Sequence, residues 1–209
     1  MSNGLRLAEI LTIRLCHDLS SPLGALLGAY GVAEDEPLFA KEAKAIMADA
    51  THAMVRRIRL LRAAWGGPVA MSVTEFSAIA ASLATKRVAI TTDDLDPEGT
   101  FGAAGARVAL NALLLAVECV QGNGSIIIGG NPSGEVVFGI AGKAAGWPAG
   151  FMGLVANPDR AWEMLDDPAK LQAPLTVLLA QAAGVTISAL LGPNQDAVPP
   201  LLLRLGQAP

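Results

Sequence analysis

Cysteine is scarce in this chain: Cys16 and Cys119 are the only two in 209 residues, and they lie far apart. That excludes a disulfide framework and a cysteine zinc site, which need clustered thiols, and both residues read as reduced, partly buried thiols. Aromatic side chains make up 4% of the chain against 52% apolar residues, so a core must be assembled from small and aliphatic groups. A basic excess is missing too, with 15 Lys and Arg against 19 Asp and Glu and a formal net charge of −4. Nucleic-acid binding needs a basic face to neutralise phosphates, so that class is disfavoured, although local basic clusters remain. Charge, Gly or Pro cuts every apolar run before the roughly 20 residues that cross a bilayer. The first ten residues carry Arg6 and Glu9 and lack the charged-then-apolar-then-cleavage order of a secretory signal, so a cytoplasmic location is expected.

What is present begins with His17, one of only two histidines. It stands in the run Cys16-His17-Asp18-Leu19-Ser20-Ser21-Pro22-Leu23-Gly24, inside a segment with helical periodicity. A neutral imidazole offers one ring nitrogen as a nucleophile while the other donates a hydrogen bond, and the adjoining Asp18 is an acceptor for it. The thiol of Cys16 is no partner for the ring, because neighbours on a helix point in different directions. The other histidine, His52, has Thr51 and Ala53 beside it and no acidic neighbour, so it reads as a solvated or packing residue. A hairpin folded near residue 33 would set it at a height similar to that of His17.

Two helical patterns, residues 4–29 and 37–64, flank a short connection and predict an antiparallel hairpin. On a helical wheel Leu5, Ala8, Leu15, Cys16, Leu19, Leu23, Leu26 and Leu27 gather on one side, with His17 and Ser21 on the other. The second helix places Phe39, Ala43, Ile46, Ala50, Met54, Ile58 and Leu61 on its apolar stripe. Two helices cannot enclose so much apolar surface, so two hairpins are expected to pair as a four-helix bundle in a homodimer, each presenting a His17 outward. Trp65-Gly66-Gly67-Pro68 ends the helical pattern and sets a domain boundary, giving a helical domain at 1–66 and a second domain at 67–209. Beyond it, strand patterns at 88–92, 125–128, 135–140, 185–191 and 200–205 alternate with helical patterns at 74–86, 103–119 and 159–183, the last with candidate breaks near Pro168 and Pro174. These predict an α+β chain whose second domain is an α/β sandwich, one sheet covered by helices on one face.

The run His17 to Leu23 resembles the H-box of sensor histidine kinases, in which the phosphorylated His is followed by an acidic residue and, five residues on, by Pro. The segment Arg107-Val108-Ala109-Leu110-Asn111-Ala112-Leu113-Leu114-Leu115-Ala116 resembles a degenerate N-box helix from their ATP-binding domain. The Asp-x-Gly-x-Gly loop that holds adenine is missing: the chain reads Ala141-Gly142-Lys143-Ala144-Ala145-Gly146-Trp147 in its place, and glycines alone serve turns as readily as phosphates. The combination resembles the ChpT-type histidine phosphotransferases.

That resemblance implies a dimeric relay protein without kinase activity of its own. It takes phosphoryl groups on His17 from the receiver domain of a hybrid histidine kinase and passes them to response regulators. No cofactor is expected on the chain itself, the receiver's acidic pocket supplying Mg²⁺. Asp18 would orient the imidazole and stabilise its developing charge. Ser21, one turn on, would touch phosphoryl oxygens or an attacking water, or else simply fill exposed helix surface. Ile10, Ile13, Arg14, Ser20 and Gly24 around His17, with Arg56 and Arg59 on the second helix, are candidates for receiver docking. Arg57 and Arg62 belong to the same basic stretch, which would steer an acidic partner or simply suit the helix dipole. Two other classes compete: an ATP-binding kinase-like protein, and a non-catalytic dimeric scaffold in which His17 is only a surface residue.

Overall fold

The computed structural model describes residues 2–192 and 197–206. They form two compact units, Met1–Arg62 and Ala63–Pro209. The first holds helix α1 (Asn3–Asp35) and most of helix α2 (Ala40–Trp65), with a 3-10 turn at Pro37–Phe39 between them. The division falls inside the last turn of α2, ahead of the glycine pair that the sequence suggests, because Ala64 and Trp65 bond to side chains of the second unit.

Ser2 caps α1 by accepting the Leu5 N–H at 3.4 Å. The helix runs on past residue 29, so the stretch from Tyr30 is not the connection. The Tyr30 hydroxyl donates to Glu34 Oε1 at 2.7 Å, bracing a turn there. The chain leaves the helix at Glu36, with φ −130° and ψ 84°, because a residue preceding proline is driven out of the α region. Pro22 sits within α1 without ending it, and its missing N–H leaves the Asp18 carbonyl without its usual i+4 donor. The turn at Pro37–Phe39 sends α2 back along α1, and Asp18 meets Arg57 across the hairpin.

The leucine stripe of α1 does not close against α2. Leu5, Leu15, Leu23 and Leu27 stay exposed, as do Phe39, Ile46 and Ile58 on α2. Cys16 is exposed rather than partly buried. The side of α1 turned toward α2 runs instead through Arg14 and Asp18.

The second unit strings β1 (Met71–Ser72), α3 (Val73–Leu83), β2 (Val88–Leu95), β3 (Thr100–Phe101) and α4 (Ala103–Cys119) ahead of β4 (Gly124–Gly130) and β5 (Glu135–Gly142). Short helices α5 (Phe151–Ala156) and α6 (Arg160–Glu163) lead to α7 (Gln172–Ala182), β6 (Thr186–Ala189) and β7 (Leu201–Arg204). The sheet order is β2-β4-β5-β7-β6; β2 and β4 are parallel, and the remaining neighbours antiparallel. Alternation sets the core side: Ile126 and Ile128 on β4 and Val136 and Phe138 on β5 are closed to solvent, while Ile127 between them is 49% exposed. Helix α4 is apolar nearly all round and packs against both β5 and α7. The helical pattern at 159–183 breaks at Pro168, as its sequence suggests, where a 3-10 turn opens, but not at Pro174, which lies in the first turn of α7 where its missing N–H costs no helical bond. No helix among the described residues is long and apolar enough to cross a membrane.

Candidate functional site

His17 and Asp18 are consecutive on α1 and therefore lie about 100° apart around its axis. One faces solvent and the other the partner helix. The His17 side chain is 83% exposed, and that of Asp18 is 9% exposed. Asp18 is held from two directions. Arg14, one turn earlier, straddles it with Nε at 3.1 Å and 3.2 Å from the two carboxylate oxygens, and Arg57 on α2 donates from Nη2 to Oδ2. Burial alone would push the carboxyl up. The hydrogen bond and charge of Arg57, then of Arg14, outweigh it and hold Asp18 below the ordinary carboxylate range. Its Oδ1 stands 3.5 Å from His17 Nδ1, at the outer limit of hydrogen-bond reach. Asp18 thus orients the ring loosely while its strong bonds go to arginines.

Ile13, Ser21 and Gly24 are exposed, at i−4, i+4 and i+7 from His17, so the four share one face of α1. Ser20 is exposed too, and its hydroxyl donates back to the Cys16 carbonyl at 2.7 Å. Ile10 is buried at 6% exposure and offers a docking partner no surface, so it leaves the docking set. Arg14 is similarly drawn to Asp18, with its side chain 18% exposed. On α2, Arg56 and Arg59 are exposed and share a face, whereas Arg57 between them turns inward. His52 is exposed. It lies five residues from Arg57, about 7 Å along the helix, rather than level with His17, because the hairpin turns later than residue 33.

The inward turn of Arg57 carries a sequence signal that composition alone hides. Ala50, Met54, Arg57 and Leu61 fall at i, i+4, i+7 and i+11, so this arginine occupies a position on the packing stripe. A charge in such a place needs a buried partner of opposite sign, and Asp18 is it.

In the second unit Asn111 is fully buried and all its polar valences are used. Its Nδ2 donates to the Ala64 and Arg107 carbonyls, each at 2.8 Å, and its Oδ1 accepts from Trp65 Nε1 at 3.2 Å and Gln172 Nε2 at 2.9 Å. Nothing of this side chain remains to face a ligand. The glycine-rich stretch at the end of β5 is structural as well: Ala141 and Gly142 end β5, the Gly146 N–H donates to the Cys119 carbonyl at 3.2 Å, and Trp147 Nε1 donates to the Pro199 carbonyl at 2.7 Å. Beside it a cavity of about 520 Å³ is lined mainly by apolar groups, including Leu115, Pro148 and Phe151. Cys119 borders it, its thiol pushed up to about 12 by burial and the nearby charge of Glu118, which makes it unreactive. Among the described residues no three His, Cys, Asp or Glu side chains gather where they would hold a metal ion.

A family model described as the histidine phosphotransferase C-terminal domain matches residues 73–195. Among solved structures, one titled as a 1.7 Å structure of a bacterial phosphotransferase aligns with a TM-score of 0.73 and 20% identity, covering 98% of this chain and 97% of that one. At that identity the likeness speaks to the fold. No curated protein matches the chain in sequence.

Proposed function

The chain belongs to the histidine phosphotransferase family, and from that premise we propose that it is a phosphorelay intermediate whose phosphorylated residue is His17. The donor is the receiver-domain Asp of a hybrid histidine kinase, and the acceptors are the receivers of response regulators, met in the cytoplasm. His17 Nε2 attacks the phosphorus of the donor acyl phosphate in line. The N–P bond forms as the P–O bond to the donor carboxylate breaks, and the electron pair leaves with that carboxylate. The proton on Nδ1 stays in place, so the ring becomes cationic, and Asp18 carries the compensating charge beside it. Transfer onward reverses these steps. The receiver's acidic pocket holds Mg²⁺, which neutralises charge on the equatorial phosphoryl oxygens.

The observation that supports this reading is the contrast between neighbours: an imidazole 83% exposed next to a carboxylate 9% exposed and tied down by two arginines. A partner can reach the ring but cannot displace its counter-charge. Ile13, Ser20, Ser21 and Gly24 would meet the receiver around the ring, with Arg56 and Arg59 steering its acidic face. Ser21, exposed one turn beyond His17, would touch phosphoryl oxygens or a hydrolytic water. The kinase-like alternative is disfavoured by Asn111, whose valences are spent within the fold. The exposed leucines of α1 support the paired-hairpin homodimer, because contiguous apolar surface of that kind marks an association face.

The test mixes the purified chain with a phosphorylated receiver domain and follows acid-labile label onto it. Label should appear on the wild type and not on His17→Ala. Equal labelling of both would end the proposal.

A further inference from the structure

Arg57 carries a role that its basic neighbours do not share. On α2 it lies between the exposed Arg56 and Ile58, yet its guanidinium turns inward and bonds Asp18 Oδ2. This leaves Oδ1 as the carboxylate oxygen directed to His17 Nδ1, at 3.5 Å. On its own helix, Arg14 Nε engages both carboxylate oxygens alike, at 3.1 Å and 3.2 Å. These Nε bonds therefore do not distinguish Oδ1 from Oδ2. Arg57 does.

We propose that Arg57 is a positioning residue for phosphoryl transfer at His17: by claiming one oxygen of Asp18 it aims the other at Nδ1, which keeps the ring proton there and leaves Nε2 outward as the nucleophile. The inference rests on His17 being the phosphorylated residue. The 3.5 Å contact is weak in the resting protein. It strengthens during attack, when charge develops on the ring and the contact becomes a charge-assisted hydrogen bond. The orienting device is thus shared between the two helices, and the hairpin register that sets Arg57 opposite Asp18 sets the nucleophile as well.

The experiment compares the full chain with Arg57→Met and Arg57→Lys, each checked by circular dichroism and thermal melting. The first readout is transfer from a phosphorylated receiver domain at varied receiver concentration. Arg57→Met should lower the maximal rate on the order of ten-fold with half-saturation unchanged, since a misaimed nucleophile costs rate rather than docking. Arg57→Lys should recover part of it. The second readout is the ¹⁵N spectrum of the His17 ring in the neutral form, where Arg57→Met should lose the Nδ1-protonated tautomer that the wild type favours. A folded Arg57→Met that transfers at the wild-type rate, or keeps the wild-type tautomer, overturns the inference. Should Arg57→Met fail to fold, Arg57→Lys decides by rate: transfer slower than the wild type at unchanged half-saturation supports the inference, and transfer at the wild-type rate overturns it. A wild type that takes no label overturns the phosphotransfer reading instead, and the tautomer measurement still judges the orienting role of Arg57 by itself.

Discussion

Gln172 donates from Nε2 to Oδ1 of Asn111 at 2.9 Å in a place closed to solvent, and Thr176, one turn along α7, donates to the Asn111 carbonyl at 3.3 Å. Helices α4 and α7 are therefore joined by polar bonds through the middle of an otherwise apolar interface. Asn111 also holds the Ala64 carbonyl, so the last residues of α2 are bonded within the second unit.

Replacing Asn111 by Ala would strand the Trp65 indole N–H and take one of two partners from the Ala64 carbonyl, which keeps Arg107 Nε, and from Gln172 Nε2, which keeps the Asn111 backbone carbonyl. An unpaired buried donor costs about 1–3 kcal/mol and each lost hydrogen bond about 1 kcal/mol more, so a loss of roughly 3 kcal/mol in a urea titration is expected. Asn111→Asp should be worse at neutral pH, since it sets a carboxylate oxygen against the two carbonyls that Nδ2 now serves. The ordering Asn over Ala over Asp is the check.

Asp18 links the site to pH. Its folded pKa lies below the ordinary value of 3.8, so its ion pairs stabilise the hairpin in full above about pH 4. That contribution disappears as pH falls below 3.8 and through the lower folded pKa, where the carboxyl takes a proton. Asp18→Asn should cost about 2 kcal/mol at pH 7, and the gap from wild type should shrink as denaturation is repeated toward pH 2. A gap that widens on acidification would contradict the pairing.

His17 projects into solvent, so removing its ring takes away little packing. His17→Ala should melt within about 0.5 kcal/mol of the wild type at pH 7, as surface substitutions do. Measured by thermal denaturation, that equality would assign any loss of labelling to chemistry rather than to unfolding.

The run 103–119 was legible to the residue because apolar side chains fill nearly every position of α4 and Gly102 precedes it. The five sheet strands announced themselves by β-branched and alternating residues, with ends a few residues out. The two-residue strands β1 and β3 were not legible, since so short a pair has no period to detect. The hairpin register was also hidden. It depends on the chain turning at Glu36 rather than near Ala33, and only that register reveals which arginine of α2 meets Asp18. The exposed His17 and its acidic neighbour could be read from adjacent letters, whereas Arg57 stands 39 positions from Asp18 and needed the fold to bring it there.

The leucine face yields the last prediction. Leu23 and Leu27 lie one turn apart on α1, 45% and 62% exposed, and two further leucines, Leu5 and Leu15, continue the same side toward the N-terminus. Burying a leucine side chain between two hairpins gains roughly 1.5–3 kcal/mol, and symmetry counts each residue twice, so a few such positions suffice for a stable pair. Putting a carboxylate there reverses the sign, because the charge must be desolvated without a partner and faces its own copy across the two-fold axis. Leu23→Glu with Leu27→Glu should therefore sediment as a monomer at concentrations where the wild type sediments as a dimer. His17 lies on the other side of the helix, so the monomer should still accept phosphoryl from a receiver. A wild-type chain that sediments as a monomer at tens of micromolar would show that this leucine face has some other use.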